Sequence, residues 1–285
     1  MSELRLRDRS AAWLAAGEQA IVVEVVAARG SVPRGVGTRM VVGATESIGT
    51  IGGGHLELKA ITSARAMLST HSAQREEQSF ALGPALGQCC GGAVTLAFAP
   101  LDAEALRRWP ARAPILQLQL HGAGHVGRAI ATLLATLDVG VEWFDERDEE
   151  FPATTSLGSP WPEHIRQNSA DTVEREVASA PANSFYLVLT HEHALDLRIT
   201  EAILRRGDFA FCGLIGSKTK RASFVRRLAD RGVDAAAIAR LTCPIGIDGI
   251  AGHEPAVIAA AVVAQLLQVA SHLEMAPELA AAQRR

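Results

Sequence analysis

A glycine turn between two apolar runs constrains the fold of this chain more than any other feature. An apolar run over residues 115–120 leads into the motif GAGHVG at 122–127, and a helix-forming stretch follows over 128–134. A second apolar run ends at Asp145. A strand, a glycine turn, a helix, a second strand and an acid in this order predict the opening of a Rossmann unit.

Each glycine of this turn has a separate expected role. Gly122 permits the tight exit from the strand, Gly124 lets the backbone approach a phosphate, and Gly127 lets the helix pack close to the sheet. The helix N-terminus then offers free N–H groups to an anion. Asp145 lies about 20 residues further on, where an acid accepts hydrogen bonds from a ribose. The alternative is a glycine-rich turn that binds nothing, since a fold does not imply a ligand.

The chain length indicates two domains. Its 285 residues are enough for about two ordinary domains. The stretch 101–114 is polar, contains alanine and proline and has no strand pattern, so it is interpreted as an inter-domain linker. The prediction is therefore an N-terminal α/β domain over 1–100 and a Rossmann-like, doubly wound parallel-sheet domain over 115–285.

Charge and composition exclude several classes of partner. A net charge of −3 gives no reason to expect binding to nucleic acid or to an anionic membrane surface. The charged N-terminal residues lack the apolar stretch of a signal peptide, and the longest apolar run, 256–264, is well short of the roughly 20 residues that span a bilayer. The expected location is the cytoplasm, where cysteines are free thiols.

An arginine-containing loop follows the first predicted strand. Residues 29–39 include three glycines, one proline and three arginines, among them Arg34. A hairpin connection with solvated arginines is one interpretation. An anion-binding loop is the other, because guanidinium groups bind phosphate through paired hydrogen bonds.

A second glycine turn leads into a helix that is expected to run to about residue 68. The backbone N–H groups at this turn can bind an anion, as those of the first turn can. Alternatively, Glu57 in the first helical turn complements the helix dipole. The glycines of this turn are Gly52, Gly53 and Gly54.

Two adjacent cysteines lie in the motif GQCCGG at 87–92. The α-carbons of Cys89 and Cys90 are only about 3.8 Å apart, so a disulfide between them would be strained. The flanking glycines leave room around the thiols, which suits contact with a soft metal or a sulfur-carrying partner. The other interpretation is that they are small buried residues at the start of a strand.

Polar residues follow two later predicted strands. The motif THEHALD at 190–196 is interpreted as loop polar groups near a ligand, because no further His or Cys cluster completes a zinc site. The motif GSKTKR at 216–221 is either an anion contact or an exposed basic helix face. The residues alone thus indicate a two-domain ligand-binding protein, with catalysis left open.

The motifs together resemble the XdhC/CoxI family, cover most of the chain and fall in the expected order. The N-terminal motifs are ARGSVPR at 28–34, IGTIGGGHLE at 48–57 and GQCCGG at 87–92. The motifs similar to the family's C-terminal Rossmann domain are GAGHVG, THEHALD, GLIGSK at 213–218 and CPIG at 243–246.

This resemblance implies a chaperone for the molybdenum cofactor rather than an enzyme. Such accessory proteins bind the molybdopterin form of the cofactor and protect it. They bring it to a cysteine desulfurase for sulfuration and deliver it to the apo-subunit of xanthine dehydrogenase, an enzyme of purine catabolism. A homo-oligomer is also expected.

The resemblance assigns roles to the motif residues. Cys89 and Cys90 would lie near the molybdenum or assist sulfur transfer, with Cys90 as the metal contact. The turn at Gly122, Gly124 and Gly127 would receive the cofactor phosphate. Arg34 and the turn at 52–54 would close over the pterin from the other domain.

Two rival functions belong to other classes. An NAD(P)-dependent oxidoreductase, favoured by Asp145, would bind nicotinamide and turn over without a partner protein. A scaffold would form complexes and bind no small ligand.

Overall fold

The computed structural model describes residues 3–70, 74–82, 91–109, 113–169 and 172–282. The chain divides into two compact units, Met1–Ala113 and Pro114–Arg285. Each unit has its own sheet and its own apolar core.

An antiparallel sheet forms the centre of the first unit. Its strand order is β3-β2-β1-β5-β4 within the described residues. The strands are β1 (Ala20–Arg29), β2 (Arg39–Gly43), β3 (Ser47–Gly49), β4 (Glu76–Ala81) and β5 (Ala93–Pro100). The helices are α1 (Glu3–Ala15), α2 (Gly54–Ser69) and α3 (Ala103–Arg108).

The central strand β1 is buried on both faces. Ile21 and Val23 belong to the core cluster that includes Leu56 of α2. Val22 belongs to a second cluster, which includes Trp13 of α1. Because successive side chains of a strand point to opposite faces, this double burial explains the continuous apolar run in the sequence.

In the stretch interpreted as a linker, 101–114, helix α3 and its flanking residues Leu101 and Trp109 pack in the first unit. The Asp102 carboxylate caps α3 by accepting a hydrogen bond from the Ala105 N–H at 2.6 Å. Leu101 and Trp109, on either side of the helix, are both buried. Up to Ala113 the stretch therefore belongs to the first unit rather than forming a bare connection.

A parallel sheet forms the centre of the second unit and confirms the predicted fold class. Its strand order is β11-β10-β9-β6-β7-β8 within the described residues. The chain starts in the middle at β6, adds β7 and β8 on one side, and returns to add β9 to β11 on the other. This is the doubly wound Rossmann order, with its switch point between β6 and β9. The strands are β6 (Gln117–His121), β7 (Gly140–Asp145), β8 (Ile165–Ser169), β9 (Phe185–Val188), β10 (Phe211–Leu214) and β11 (Leu241–Thr242).

Helices cover both faces of the parallel sheet. One apolar cluster joins the sheet to α4 and α9 around Trp143, and the other joins it to α5 to α8 around Tyr186. The helices are α4 (His125–Leu134), α5 (Val173–Ser179), α6 (His193–Arg206), α7 (Lys218–Asp230), α8 (Ala235–Ala239) and α9 (Pro255–Ala282).

Helix α9 extends well beyond the apolar run at 256–264. Its stretch Pro255–Leu273, 19 residues, is long and apolar enough to cross a membrane by length and composition alone. Part of the helix packs against α4 in the core of the second unit. The buried residues on this face are Ala259, Val262, Val263, Leu266 and Ala270.

Candidate functional site

Two glycines of the turn between β6 and α4 are required by close packing. Gly122 has a φ of +121°, and a Cβ atom there would lie 2.3 Å from the carbonyl oxygen of Leu189. A Cβ atom at Gly127 would lie 2.1 Å from the carbonyl oxygen of Gly122. Since neither separation is sterically allowed, both residues let the strand ends and the helix approach one another.

The packing of the chain itself does not explain the third glycine. Apart from its chain neighbours, no heavy atom of the described residues lies within 4 Å of the place where a Gly124 Cβ would stand. Gly124 is the N-cap residue of α4, and no side chain caps this helix end. Its open face and the adjacent helix N–H groups provide the geometry that an anion needs. Phosphate binding at Gly124 stays a prediction.

Asp145, the expected ribose acceptor, already accepts hydrogen bonds from other residues of the chain. Its Oδ1 accepts hydrogen bonds from the backbone N–H and Nε of Arg147, each at 3.0 Å. Its Oδ2 accepts from the Ala123 N–H at 2.7 Å and from Arg147 Nη2 at 3.2 Å. A carboxylate has about four acceptor positions, and these four bonds fill them. A ribose would therefore have to displace a group that is already bound.

The protonation state of Asp145 follows from the same contacts. Burial raises the pKa of this carboxyl, but the Arg147 guanidinium and the backbone N–H groups of Ala123 and Arg147 outweigh that effect. The pKa therefore lies below its ordinary value, and the carboxylate is charged at neutral pH. Asp145 ties the glycine turn to the end of β7.

A small cleft of about 20 Å³, enough for one water molecule, lies at the carboxyl edge of the parallel sheet, close to the switch point. Residues at the ends of β6, β7 and β9 and at the starts of α5 and α6 line it. This is where ligands bind in open α/β sheets. The lining residues are His121, Phe144, Asp145, Glu146, Val173, Thr190, His191, Leu195 and Ile199.

His121 lines this cleft although it belongs to none of the motifs recognised in the sequence. Its side chain is 1% exposed and stacks on Phe144 with ring centroids 5.2 Å apart. Neither ring nitrogen has a hydrogen-bond partner among the described residues. Burial lowers the pKa of His121 to about 3, so the imidazole is neutral at physiological pH. The one available signal was a histidine closing an apolar strand directly before the glycine turn.

A buried ion pair fixes the loop after β9. Lys220 donates to Asp196 Oδ2 at 2.6 Å and to the Ile215 carbonyl at 2.8 Å. Asp196 Oδ1 accepts from the backbone N–H of Thr190 at 2.9 Å and from its hydroxyl at 2.7 Å. Lys220 is thus committed to a structural contact, whereas Lys218 is exposed.

The residues of the THEHALD motif separate in space. His191 lines the cleft, His193 opens α6 at the surface, and Asp196 is buried against Lys220. In the described part of the chain, no group of three or more His, Cys, Asp and Glu residues has the spacing to hold a metal ion.

In the first unit, the structure brings the arginine loop against the second glycine turn. A Cβ atom at Gly52 would lie 2.6 Å from the side chain of Pro33 and 3.8 Å from that of Arg34. Gly53 is open in the described structure, and Arg34 and Gly54 are exposed. The predicted neighbours therefore meet, while their contact with a cofactor stays a prediction.

The N–H groups of this second turn already bind a carboxylate of the same chain. Glu57 Oε2 accepts from the Thr50 hydroxyl at 2.5 Å and from the N–H groups of Ile51 at 3.2 Å and Gly53 at 3.1 Å. This arrangement favours the interpretation of Glu57 as an internal partner of the turn. An external anion here would compete with Glu57 for these donors.

Cys89 and Cys90 lie outside the described residues, so their predicted roles stay predictions. The glycines that follow them are described, and a Cβ atom at Gly92 would lie 2.4 Å from the Ser31 carbonyl oxygen. The segment after the cysteines therefore packs against the loop that carries Arg34.

The fold and the turn define a two-unit protein whose second unit is a Rossmann unit with an open, glycine-lined helix N-terminus. Residues 118–266 match the family profile described as the XdhC Rossmann domain. Residues 13–79 match the profile of the XdhC and CoxI family. The chain belongs to the XdhC/CoxI family, as the resemblance of its motifs predicted.

Two similar proteins accompany these matches. An uncharacterized protein of Escherichia coli K12, YqeB, is 31% identical over 258 residues, which are 87% of this chain and 43% of that protein. This chain thus spans less than half the length of that relative. A crystal structure described as a xanthine dehydrogenase from Bacillus halodurans has a TM-score of 0.73 at 18% identity, covering 94% of this chain and 96% of that one. This second likeness supports the fold alone.

Proposed function

We propose that this protein is a maturation factor that binds the molybdopterin form of the molybdenum cofactor as cargo. It protects the cofactor, supports its sulfuration and inserts it into xanthine dehydrogenase. Membership of the XdhC/CoxI family supports an accessory role. The observation that carries the proposal is the open turn at Gly124, which has room for an anion at a helix N-terminus.

The residues of this turn fit the phosphate group of the cargo. The first turn of α4 directs N–H groups and the positive end of the helix dipole outward, and Gly124 adds no side chain in front of them. Gly122 and Gly127 hold the turn in place by packing. The phosphate therefore needs no cationic side chain at this position.

The hydrogen bonds of Asp145 favour this function over that of an NAD(P)-dependent oxidoreductase. Such an enzyme uses the acid after the second strand to bind ribose hydroxyls. Here the carboxylate already accepts four hydrogen bonds, three of them from Arg147. Ribose binding would cost part of this ion pair, whereas phosphate binding at Gly124 leaves it intact.

The other parts of the proposal rest on the family resemblance. Cys89 and Cys90 handle the sulfur that a cysteine desulfurase supplies, and Cys90 contacts the molybdenum. Arg34 and the turn at 52–54 contribute to holding the pterin. The partners are that desulfurase and the apo-subunit of xanthine dehydrogenase, and the exchange takes place in the cytoplasm. The protein acts as a homo-oligomer and catalyses no reaction of its own.

The substitution Gly124→Ala tests the phosphate cradle. The purified variant is loaded anaerobically with molybdenum cofactor, and both retention of the cofactor and activation of apo-xanthine dehydrogenase are measured. We expect retention and activation to fall with only a small drop in melting temperature, because the methyl group meets open space in the protein but blocks the phosphate. Gly232→Ala, at an open glycine that follows α7 and lies outside every proposed cofactor contact, is the control, although its φ of +73° adds backbone strain. Unchanged retention in Gly124→Ala would contradict the proposed site.

The substitution Cys90→Ala tests the sulfur-handling role separately. We expect weaker cofactor retention or delivery of an unsulfurated, inactive cofactor. Activation equal to that by the wild-type protein would remove the role assigned to this residue.

A further inference from the structure

We propose that a cavity between the antiparallel sheet of the first unit and helix α3 binds a small oxyanion, a carboxylate or a phosphate group. The cavity has a volume of about 90 Å³, which holds about four or five non-hydrogen atoms, the size of acetate or phosphate. Residues of β1, β2, β5 and α3 line it, together with Arg75 just before β4. This site belongs to the first unit alone, and its ligand is separate from the cargo phosphate proposed for the turn at Gly124.

Three arginines from separate parts of the chain line this cavity, and this observation points to an anion. Arg39 begins β2, Arg75 directly precedes β4, and Arg108 ends α3. Among the described residues, Glu24 is the one acidic side chain in the lining, so three positive charges and one negative charge face the cavity. Like charges around one small space repel each other, and an anion between them relieves that repulsion.

The acidic partners of the two outer arginines compete little with such a ligand. Arg75 pairs with Glu77 at 3.0 Å, and Arg108 pairs with Glu104 at 3.7 Å. The two arginine side chains are 49% and 63% exposed, and ion pairs in contact with water contribute little to stability. Both guanidinium groups are therefore accessible to an anion and can bind it at small cost.

Arg39 and Trp109 form a fixed wall of the cavity. The Arg39 side chain is 9% exposed and donates a hydrogen bond to Glu24 Oε1 at 2.5 Å. Its Cζ lies over the Trp109 ring, 5.2 Å from the ring centroid. These contacts hold the guanidinium in place before any ligand binds, so its side chain loses little further entropy on binding. Because Glu24 offsets part of this charge, the net attraction comes mainly from Arg75 and Arg108.

The rest of the lining is mostly small and apolar, which sets the size of the ligand. Ala97 and Ala99 of β5 and Ala105 of α3 line the cavity with methyl groups, where longer side chains would fill the space. Ligand sites combine such apolar surface with a few polar groups that fix orientation. Guanidinium groups bind carboxylate and phosphate through paired hydrogen bonds. The cavity therefore suits a small oxyanion, with or without a short apolar stem.

Titration of the full-length protein with three probes tests the inference. The probes are acetate, inorganic phosphate and acetamide, which has the shape of acetate without its charge. Binding is followed by the NMR signal of the Trp109 indole N–H, assigned with Trp109→Phe, because this residue lines the cavity. At constant, low ionic strength, where exposed charges are least screened, we expect a saturable shift with acetate or phosphate and none with acetamide.

Arg108→Gln should weaken binding of the anion at least tenfold, because it removes a charged donor at the cavity. Arg107→Gln is the matched control. Arg107 precedes Arg108 in the same helix, is 74% exposed and also pairs with Glu104, but it is not among the residues that line the cavity. This control makes the same change in net charge and should bind the anion as the wild-type protein does. Arg75→Gln should reproduce the loss from another part of the lining.

The outcomes separate this inference from the proposed function. Equal weakening in Arg107→Gln and Arg108→Gln would show a general effect of charge and would overturn the inference. Binding of acetamide as tight as that of acetate, or no shift of the Trp109 signal with either anion, would also overturn it, even if the protein delivers molybdenum cofactor. Gly124→Ala should leave the Trp109 shift unchanged, and a loss there would overturn the separate site. Tighter binding of acetate identifies a carboxylate ligand, and tighter binding of phosphate identifies a phosphate ligand.

Discussion

Replacing His121 by phenylalanine should change how the stability of the protein depends on pH. The pKa of this histidine is about 3 in the folded protein, against an ordinary value of 6.5, because the ring is buried. Between pH 6.5 and pH 3, His121 is therefore protonated in the unfolded chain and neutral in the folded chain. The free energy of unfolding consequently falls as the pH falls from 6.5 towards 3.

The size of this effect follows from the gap between the two pKa values. Each pH unit within the window costs about 1.4 kcal/mol, so at pH 5 the histidine removes about 2 kcal/mol of stability. His121→Phe abolishes this term. It should also raise stability at pH 7.5 by about 1 kcal/mol, since it removes unpaired buried polar atoms.

Urea unfolding of wild type and variant at pH 7.5, 6 and 5 measures the effect. Contributions from other titrating groups are common to both proteins and cancel in the difference. We expect the stability advantage of His121→Phe to grow by about 2 kcal/mol between pH 7.5 and pH 5. If the free energy of unfolding of the two proteins changes with pH in the same way, His121 has an ordinary pKa in the folded protein. That result would refute the prediction.

Further substitutions test the contacts of the two glycine turns and of the Lys220–Asp196 ion pair, each by urea unfolding. Lys220→Met should lower the free energy of unfolding by about 3–5 kcal/mol because it leaves the Asp196 carboxylate buried without its cationic partner. Adding Asp196→Asn should recover part of the loss, because it removes the charge and keeps an acceptor for Thr190. Gly127→Ala should cost about 1–3 kcal/mol or more because its methyl group would lie 2.1 Å from a carbonyl oxygen, whereas Gly124→Ala should cost at most about 1 kcal/mol. Glu57→Gln should cost about 1–2 kcal/mol because the amide replaces a charged acceptor of three hydrogen bonds with a neutral one. Equal stability of Gly127→Ala and Gly124→Ala, or no loss in either of the other variants, would contradict the contacts described.

The parts of the fold that follow periodic burial were predictable from the sequence. β6, the glycine turn and α4 were predicted as one unit because apolar periodicity and glycine positions indicate the same structure. β8 gave no such signal. Its sequence is Ile-Arg-Gln-Asn-Ser, and it lies at the edge of the sheet, where a strand is held by backbone hydrogen bonds with little apolar burial.

The candidate site was predictable in position but not in its internal contacts. Spacing placed Asp145 at the end of the second strand, yet it gave no information on which groups use its acceptor positions. Arg147 and Ala123 use them, which only the folded geometry shows. The same holds for Glu57, whose carboxylate fills the second glycine turn. His121 escaped notice because its burial depends on the packing of Phe144 from a neighbouring strand.

The most direct test of the cofactor-chaperone function is an anaerobic titration of the purified protein with molybdenum cofactor, with NAD and NADP titrated in parallel. We expect tight binding of the molybdenum cofactor and its transfer to apo-xanthine dehydrogenase. We expect weak or no binding of the dinucleotides, because Asp145 is already bound by Arg147. Binding of NAD or NADP without binding of the molybdenum cofactor would contradict the account and would indicate an oxidoreductase.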